Sequence, residues 1–444
     1  MVQRQKQKED TAMKPTKPNL ILQTIISLVL ILTVSNFSLS QSPEWIVYKT
    51  SNSSLPDNWI NSIKIDSEGN KWIGTIDGGL VKFNDVSWTI YNTSNSGLPD
   101  NFIREIFIDN SGNKWLGTNN GGIVKFDGTN WIVYNTSNSG LPDNRVYTIN
   151  KDQQGNLWIG TNNGVAKFDG VNWIVYNSLN SGLPYDDVRS IAIDSQGNKW
   201  ICTNGGGVAK FDGVNWTVYN TSNSGLPYDA VYSMVIDGQG NKWFGINRGR
   251  IVKFDGNNWT VYNMPNSIFS DNYVYALTLD GSGNIWIGTY REGMAKFDGV
   301  NWTVYNTSNS GLPDNSVHSI AIDQFGNKWI GTWGGGLAVY HEWGVIIKVE
   351  DEEQNLPEDY ILYQNYPNPF NPNTIIEFEL PKKANIKLAV YDALGREIGK
   401  LVDQEYESGK YQIKFNGNNL PSGVYFYRLE AGKFVSVKKM ILLK

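Results

Sequence analysis

The chain has 444 residues, of which 13% are aromatic and only 18% charged, with 17 Trp and 45 Gly. Rigid aromatics separated by turn-forming glycine predict all-β structure, and the length allows two or three domains. The formal charge is −5, of which residues 1–40 carry +3, so the remainder is acidic and a poor partner for nucleic acid.

The chain opens on a basic stretch. Arg4, Lys6, Lys8, Lys14 and Lys17 precede the apolar run LILQTIISLVLILTV at 20–34, and small residues follow as SLS at 38–40. That order predicts a secretory signal peptide over 1–40, with Met1 or Met13 as its start. An uncleaved anchor is the alternative, but Gln23, Thr24 and Ser27 interrupt a run that is already short. No other stretch is long and apolar enough to span a membrane, so contact with the membrane is expected only during export.

Residues 41–349 repeat themselves. GNKWIGT at 69–75 returns in near-copy at 112–118, 155–161, 197–203, 240–246, 283–289 and 326–332. Its Trp therefore recurs every 43 residues, with one step of 42, and a second series opening W-x-[VI]-Y runs in phase from Trp45 to Trp302. Fourteen of the 17 tryptophans obey this one period, which predicts a repeat array rather than a single active site. Within one unit, VRSIAID, KWICT, VAKFDG and WTVY read as four short strands joined by turn chemistry. Seven such units predict a seven-bladed β-propeller. Trp45–Tyr48 precedes the first complete unit and is expected to close the ring against 337–340. The rival arrangement puts 343–349 there.

Several recurring residues invite chemistry. Asp66, Asp109, Asp152, Asp194, Asp237, Asp280 and Asp323 stand in D-x-x-G-N, a spacing that suits a turn cap better than the alternating ligands of a calcium loop. NGGG at 204–207 is followed by neither Lys-Ser/Thr nor a helix, so it reads as a hairpin turn and not a phosphate loop. His318 and His341 are the only histidines, and neither has an evident Ser or Cys partner. Cys202, the single cysteine, replaces the Gly of WIGT and reads as a small buried residue. No catalytic constellation, metal site or cofactor site assembles, so the chain is expected not to be an enzyme.

The segment GLPDNSVHSIAIDQFGNKWIGTWGGGL at 311–337 resembles the two-component regulator propeller repeat, and the likeness extends over 45–340. The resemblance implies a propeller of the kind found in sensor regions. No second apolar span and no kinase segment follows the repeats in these 444 residues.

After 349 the composition changes. EDEEQNLPED opens an acidic linker over 350–361, and YPNPFNP at 366–372 sets a stiff extended start. TIIEFEL, IKLAVYD, YQIKFN, GVYFYRLEA and VSVKKMILL then predict a small antiparallel β-sandwich over 362–444. These residues resemble the type A sorting domain of the type IX secretion system. The matching positions are Pro367, Asn368 and Pro369, then Gly395, Gly409, Tyr411, Gly423, Tyr425 and Lys439. The resemblance implies delivery by the type IX secretion machinery to the cell surface or the medium.

Function is sought where the copies differ. The loops between second and third strands carry Arg248, Tyr290, Arg291 and Trp333, and Arg250 interrupts the usual glycine. The residue entering each first strand reads Trp59, Phe102, Arg145, Asp187, Ala230, Tyr273 and Ser316. In a propeller these loops share one face. Trp59, Arg248, Arg250, Tyr273, Tyr290, Arg291 and Trp333 are thus the candidate ligand-binding residues, suited to an extracellular glycan or protein. The expected function is a non-enzymatic binding module. The alternatives are a polysaccharide-active lyase or hydrolase, and a ligand-sensing partner of a separate sensor kinase.

Overall fold

A computed structural model describes residues 44–265, 272–342, 345, 347–348 and 359–444. The expected signal peptide and the acidic stretch 350–358 lie outside the described residues. Seven four-stranded antiparallel sheets form the larger part, two further sheets form the C-terminal part, and no helix occurs among the described residues.

The first blade runs Ile60–Ile65, Lys71–Thr75, Leu80–Phe83 and Trp88–Tyr91, with neighbouring strands in chain order. Five blades repeat that order. The seventh joins Val317–Ile322, Lys328–Thr332 and Leu337–Tyr340 to the N-terminal strand Trp45–Tyr48. The register runs from Trp45 opposite Tyr340 to Tyr48 opposite Leu337. The N-terminal strand therefore closes the ring. The rival segment does not, because Ile347 and Lys348 pair with Gln412 and Tyr411 of the C-terminal part.

Most letters of GNKWIGT, and the Asp that precedes them, have a structural task. In the first blade Asp66 Oδ1 accepts the Glu68 and Asn70 N–H groups at 3.0 and 2.9 Å, which is the expected turn cap. Its Oδ2 accepts the Trp72 indole N–H at 2.8 Å. The same Asp–Trp bond recurs at 2.7–3.1 Å in the other six blades. Gly74 lies against the next blade, where an added Cβ would stand 2.8 Å from Ile103 Cγ2. Thr75 donates its hydroxyl to Gly79 O at 2.8 Å, tying the hairpin. Cys202, at the Gly74-equivalent position, is fully buried, and burial raises its thiol pKa, as a packing role requires.

The same tryptophans join the blades. Trp72 meets Phe126 of the second blade at 6.2 Å, and Trp329 of the seventh meets Phe83 of the first at 6.0 Å. In the five blades that carry it, the motif lysine covers the Trp of the preceding blade: Lys114 lies 4.4 Å from the Trp72 ring and Lys71 lies 4.5 Å from Trp329. Burying one such indole removes about 150–250 Å² from water, worth up to about 4–6 kcal/mol before entropy is counted. The repeat thus encodes similar joints around the ring, including the one between the last blade and the first.

The C-terminal part is a two-sheet sandwich. One sheet orders Ile347–Lys348, Gly409–Asn416, Asn373–Leu380 and Ile361–Leu362; the other orders Glu397–Tyr406, Ala384–Tyr391, Gly423–Ala431 and Phe434–Leu442. Glu397–Tyr406 is a strand that the sequence reading did not anticipate. The expected extended start carries two cis X-Pro bonds, Tyr366–Pro367 and Asn368–Pro369. Asn368 Oδ1 accepts Ile441 N–H at 2.8 Å, and Asn368 Nδ2 donates to Lys439 O at 3.2 Å, pinning this segment to the last strand. Gly395 lies in a turn with φ +77°, and Tyr411 is buried against Phe378 at 5.4 Å. Tyr425 donates its hydroxyl to Pro421 O at 2.7 Å. The sandwich does not hang free. Phe325, on a turn of the seventh blade, is buried in its core cluster and stands edge-on to Tyr406 at 5.1 Å.

Candidate functional site at the channel mouth

The first strand of each blade faces the axis of the ring. In all seven the pairing with the second strand slips by one residue near its start, as between Ile60 and Ser62 in the first blade. Such a bulge leaves one residue unpaired and re-aims its side chain. The residues at the bulge are Asn61, Arg104, Tyr147, Arg189, Tyr232, Tyr275 and His318. All seven line one cavity of about 400 Å³ in the channel. That size falls within the range of about 300–1,000 Å³ common to ligand sites.

One residue further along, hydroxyls stitch neighbouring blades together. Ser62 Oγ accepts Ile106 N–H at 3.2 Å, and Ser319 Oγ accepts Ile63 N–H at 2.9 Å across the closure. Asn61 Nδ2 donates to Arg104 O at 2.7 Å. These bonds satisfy strand edges that face the channel. The bulge position is thereby left to vary.

Its variation is not random around the ring. Arg104 and Arg189 both lie against Tyr147, with guanidinium carbons 5.0 and 4.1 Å from the ring centre. Arg104 Nε and Nη2 donate to Asn119 Oδ1 at 2.8 and 2.6 Å. Arg189 pairs with Asp187 at 2.6 Å. Burial lowers the Arg104 pKa, and the charges of Arg145 and Arg189 add to the effect. On the other side of the channel His318 lies 4.6 Å from both Tyr275 and Trp333. Burial pushes the His318 imidazole down to about 3, helped by the Arg104 charge, so the ring is neutral at ordinary pH.

The candidate residues divide into two groups. Trp59 meets Trp333 at 5.2 Å, Trp333 meets Tyr290 at 5.9 Å, and Tyr290 meets Tyr273 at 6.0 Å. Tyr273 continues to Tyr232 at 4.8 Å. This arc crosses blades one, seven, six and five, and Trp59 at its end is 45% exposed. Arg291 joins it over Tyr290 at 5.2 Å. Arg248 and Arg250 instead gather on Tyr228, at 5.6 and 5.7 Å. The sequence reading missed Arg104, Tyr147, Arg189, Tyr232 and Tyr275. The signal that finds them is the second residue of each first strand, which changes from blade to blade beside near-constant neighbours.

Comparison with known proteins agrees with this architecture. Residues 364–443 match the family model of the secretion system C-terminal sorting domain. Residues 140–163, 268–291 and 311–334 match the two component regulator propeller model. No curated protein matches the chain. Among solved structures, the extracellular domain described for a hybrid two component system of B. thetaiotaomicron is 21% identical with a TM-score of 0.59. The match covers 90% of this chain and 57% of that one. PorZ, a bacterial surface component of the type-IX secretion system of Porphyromonas gingivalis, is 18% identical with a TM-score of 0.58, over 87% of this chain and 60% of its own. Virginiamycin B lyase from Staphylococcus aureus is 16% identical with a TM-score of 0.54, over 66% of this chain and 97% of its own. This chain thus spans less than two thirds of the first two, and at these identities the likeness concerns the fold. The chain carries regulator propeller repeats followed by a secretion sorting domain, a combination that supports secretion to the surface or the medium.

Proposed function

We propose that the chain is an exported, non-enzymatic binding module that holds an extracellular glycan or protein ligand at the channel mouth. The observation that carries this reading is the unbroken arc of ring contacts from Trp59 through Trp333, Tyr290 and Tyr273 to Tyr232. Aromatic side chains offer wide contact area with little entropy to lose, and together with arginine they dominate binding surfaces. His318 lies tilted between Trp333 of this arc and Tyr275, which supports a role in contact rather than turnover. The expected signal peptide over 1–40 would start export, and the type IX machinery would complete it through the sorting domain. The test is a glycan and peptide array probed with the full exported chain. Retention on a defined ligand is expected. Uniform absence of retention would overturn the reading.

A further inference from the structure

The two sides of the channel differ in chemistry. One side, on blades two and four, holds Arg104 and Arg189, with the Arg145 charge acting on Arg104; the other, on blades six and seven, holds Tyr275, His318 and Trp333. Positive charge is in excess. Lys64 meets Glu105 at 3.9 Å and Arg189 meets Asp187 at 2.6 Å, whereas the partners of Arg104 are the neutral Asn119 and the rings of Phe102 and Tyr147. A half-buried guanidinium held by neutral groups is costly, and an anion that reaches it removes the cost.

The hydrogen-bonding capacity points the same way. Among the described residues Arg189 Nε, Trp333 Nε1 and His318 Nε2 are buried without a hydrogen-bond partner. All three residues line the one cavity. The first two atoms can only donate, and the neutral imidazole can donate from Nε2. Although Asp187 Oδ1 is also without a partner, the donors of Arg189 and Trp333 line the cavity itself and suit a ligand that offers acceptors. It must also present an apolar face to Tyr275 and Trp333. A sugar ring does both, with hydroxyl oxygens at its edge and C–H groups on its face, and a carboxylate on that ring supplies the charge that Arg104 lacks.

We infer that the channel mouth binds a carboxylate-bearing sugar residue, its carboxylate between Arg104 and Arg189 and its ring face against Tyr275, His318 and Trp333. This rests on the proposed binding role and names the ligand class for it. Charge-assisted bonds to a carboxylate are among the strongest available in such a site.

The test is calorimetric titration of the full exported chain with digalacturonate and with the neutral digalactoside of the same linkage. Digalacturonate binds about tenfold or more tightly than the neutral sugar, because a charged hydrogen bond outweighs a neutral one. Added salt weakens only the acid. Arg104→Gln removes most of the preference and keeps the melting temperature, since its partner Asn119 is uncharged. Arg189→Gln does the same at some cost in stability, because it leaves Asp187 with Asn204 in place of a charged partner. Equal affinity for the two sugars, or a preference untouched by both variants, overturns the inference and leaves the binding role intact if Trp333→Ala still releases an array ligand. A peptide held through its terminal carboxylate by the same arginines, with neither sugar bound, also overturns it. Failure of every probe to bind removes both readings.

Discussion

Trp333 stands edge-on to Trp59, ring centres 5.2 Å apart at 78°, although one belongs to the last blade and the other precedes the first strand of the first. Their backbones also bridge. The seam where the ring closes is therefore part of the candidate binding surface. Any change that loosens closure reaches the site directly, and ligand bound there strengthens the seam in return.

The Asp–Trp bond should prove structural in every blade. Asp152→Ala removes the acceptor for the Trp158 indole and for two turn N–H groups. Loss of hydrogen bonds to a charged group should cost about 1.5–3 kcal/mol. Denaturant unfolding checks this, and addition of calcium should not restore the loss.

Acid should act in two stages. His318 is held near 3 in the fold, below the unfolded value of about 6.5. The unfolded chain therefore takes the proton first, so this contribution is whole above pH 6.5 and declines as pH falls toward 3. The slope is at most about 1.4 kcal/mol per pH unit. Asp66, Asp109, Asp152, Asp194, Asp237 and Asp280 titrate below the ordinary range, because bonds from Trp and Asn outweigh the opposing effect of burial. Their contribution is whole above about pH 4 and is lost below it. Asp323 has the opposite sign, since burial raises its pKa and stability is regained as it protonates. Melting temperatures from pH 7 to 4.5 should fall more for the native chain than for His318→Gln.

Phe325 should fasten the sandwich to the seventh blade. Its ring is buried against Tyr406, and Phe325→Ala should cost about 3 kcal/mol of docking. Limited proteolysis between the two parts should accelerate, while the melting of the propeller itself stays unchanged.

Deletion of 438–444 should trap the protein in the periplasm. It removes Met440 and Leu442, both fully buried, and the partners that hold Asn368. Fractionation of cells expressing the truncated chain reads the outcome directly. Normal surface delivery would contradict the sorting role.

The ring was legible because its joints repeat. One Asp and one Trp per blade do the same work seven times, a Lys joins them in five blades, and Trp45 betrays its place by opening the same W-x-V-Y run. The channel was harder to read. Arg104, Tyr147 and Tyr275 sit at a bulge, and a bulge breaks the two-residue alternation that assigns strand faces. Glu397–Tyr406 escaped for the same reason: its pairing with Ala384–Tyr391 shifts register at Leu388/Ala389 and again at Val390/Tyr391. Trp59, Tyr273, Tyr290 and Trp333, picked from loops of one face, meet as one arc. Spacing alone did not reveal that Arg248 and Arg250 turn to Tyr228.

Everything proposed for the ligand depends on its being held by the aromatic arc at the channel mouth. The most direct measurement is the affinity of a Trp333→Ala, Tyr290→Ala double variant for whichever array ligand the native chain retains. Binding should fall by at least about tenfold, in keeping with two contact residues of hot-spot type, with the melting temperature kept. Unchanged affinity in the folded double variant would contradict the account.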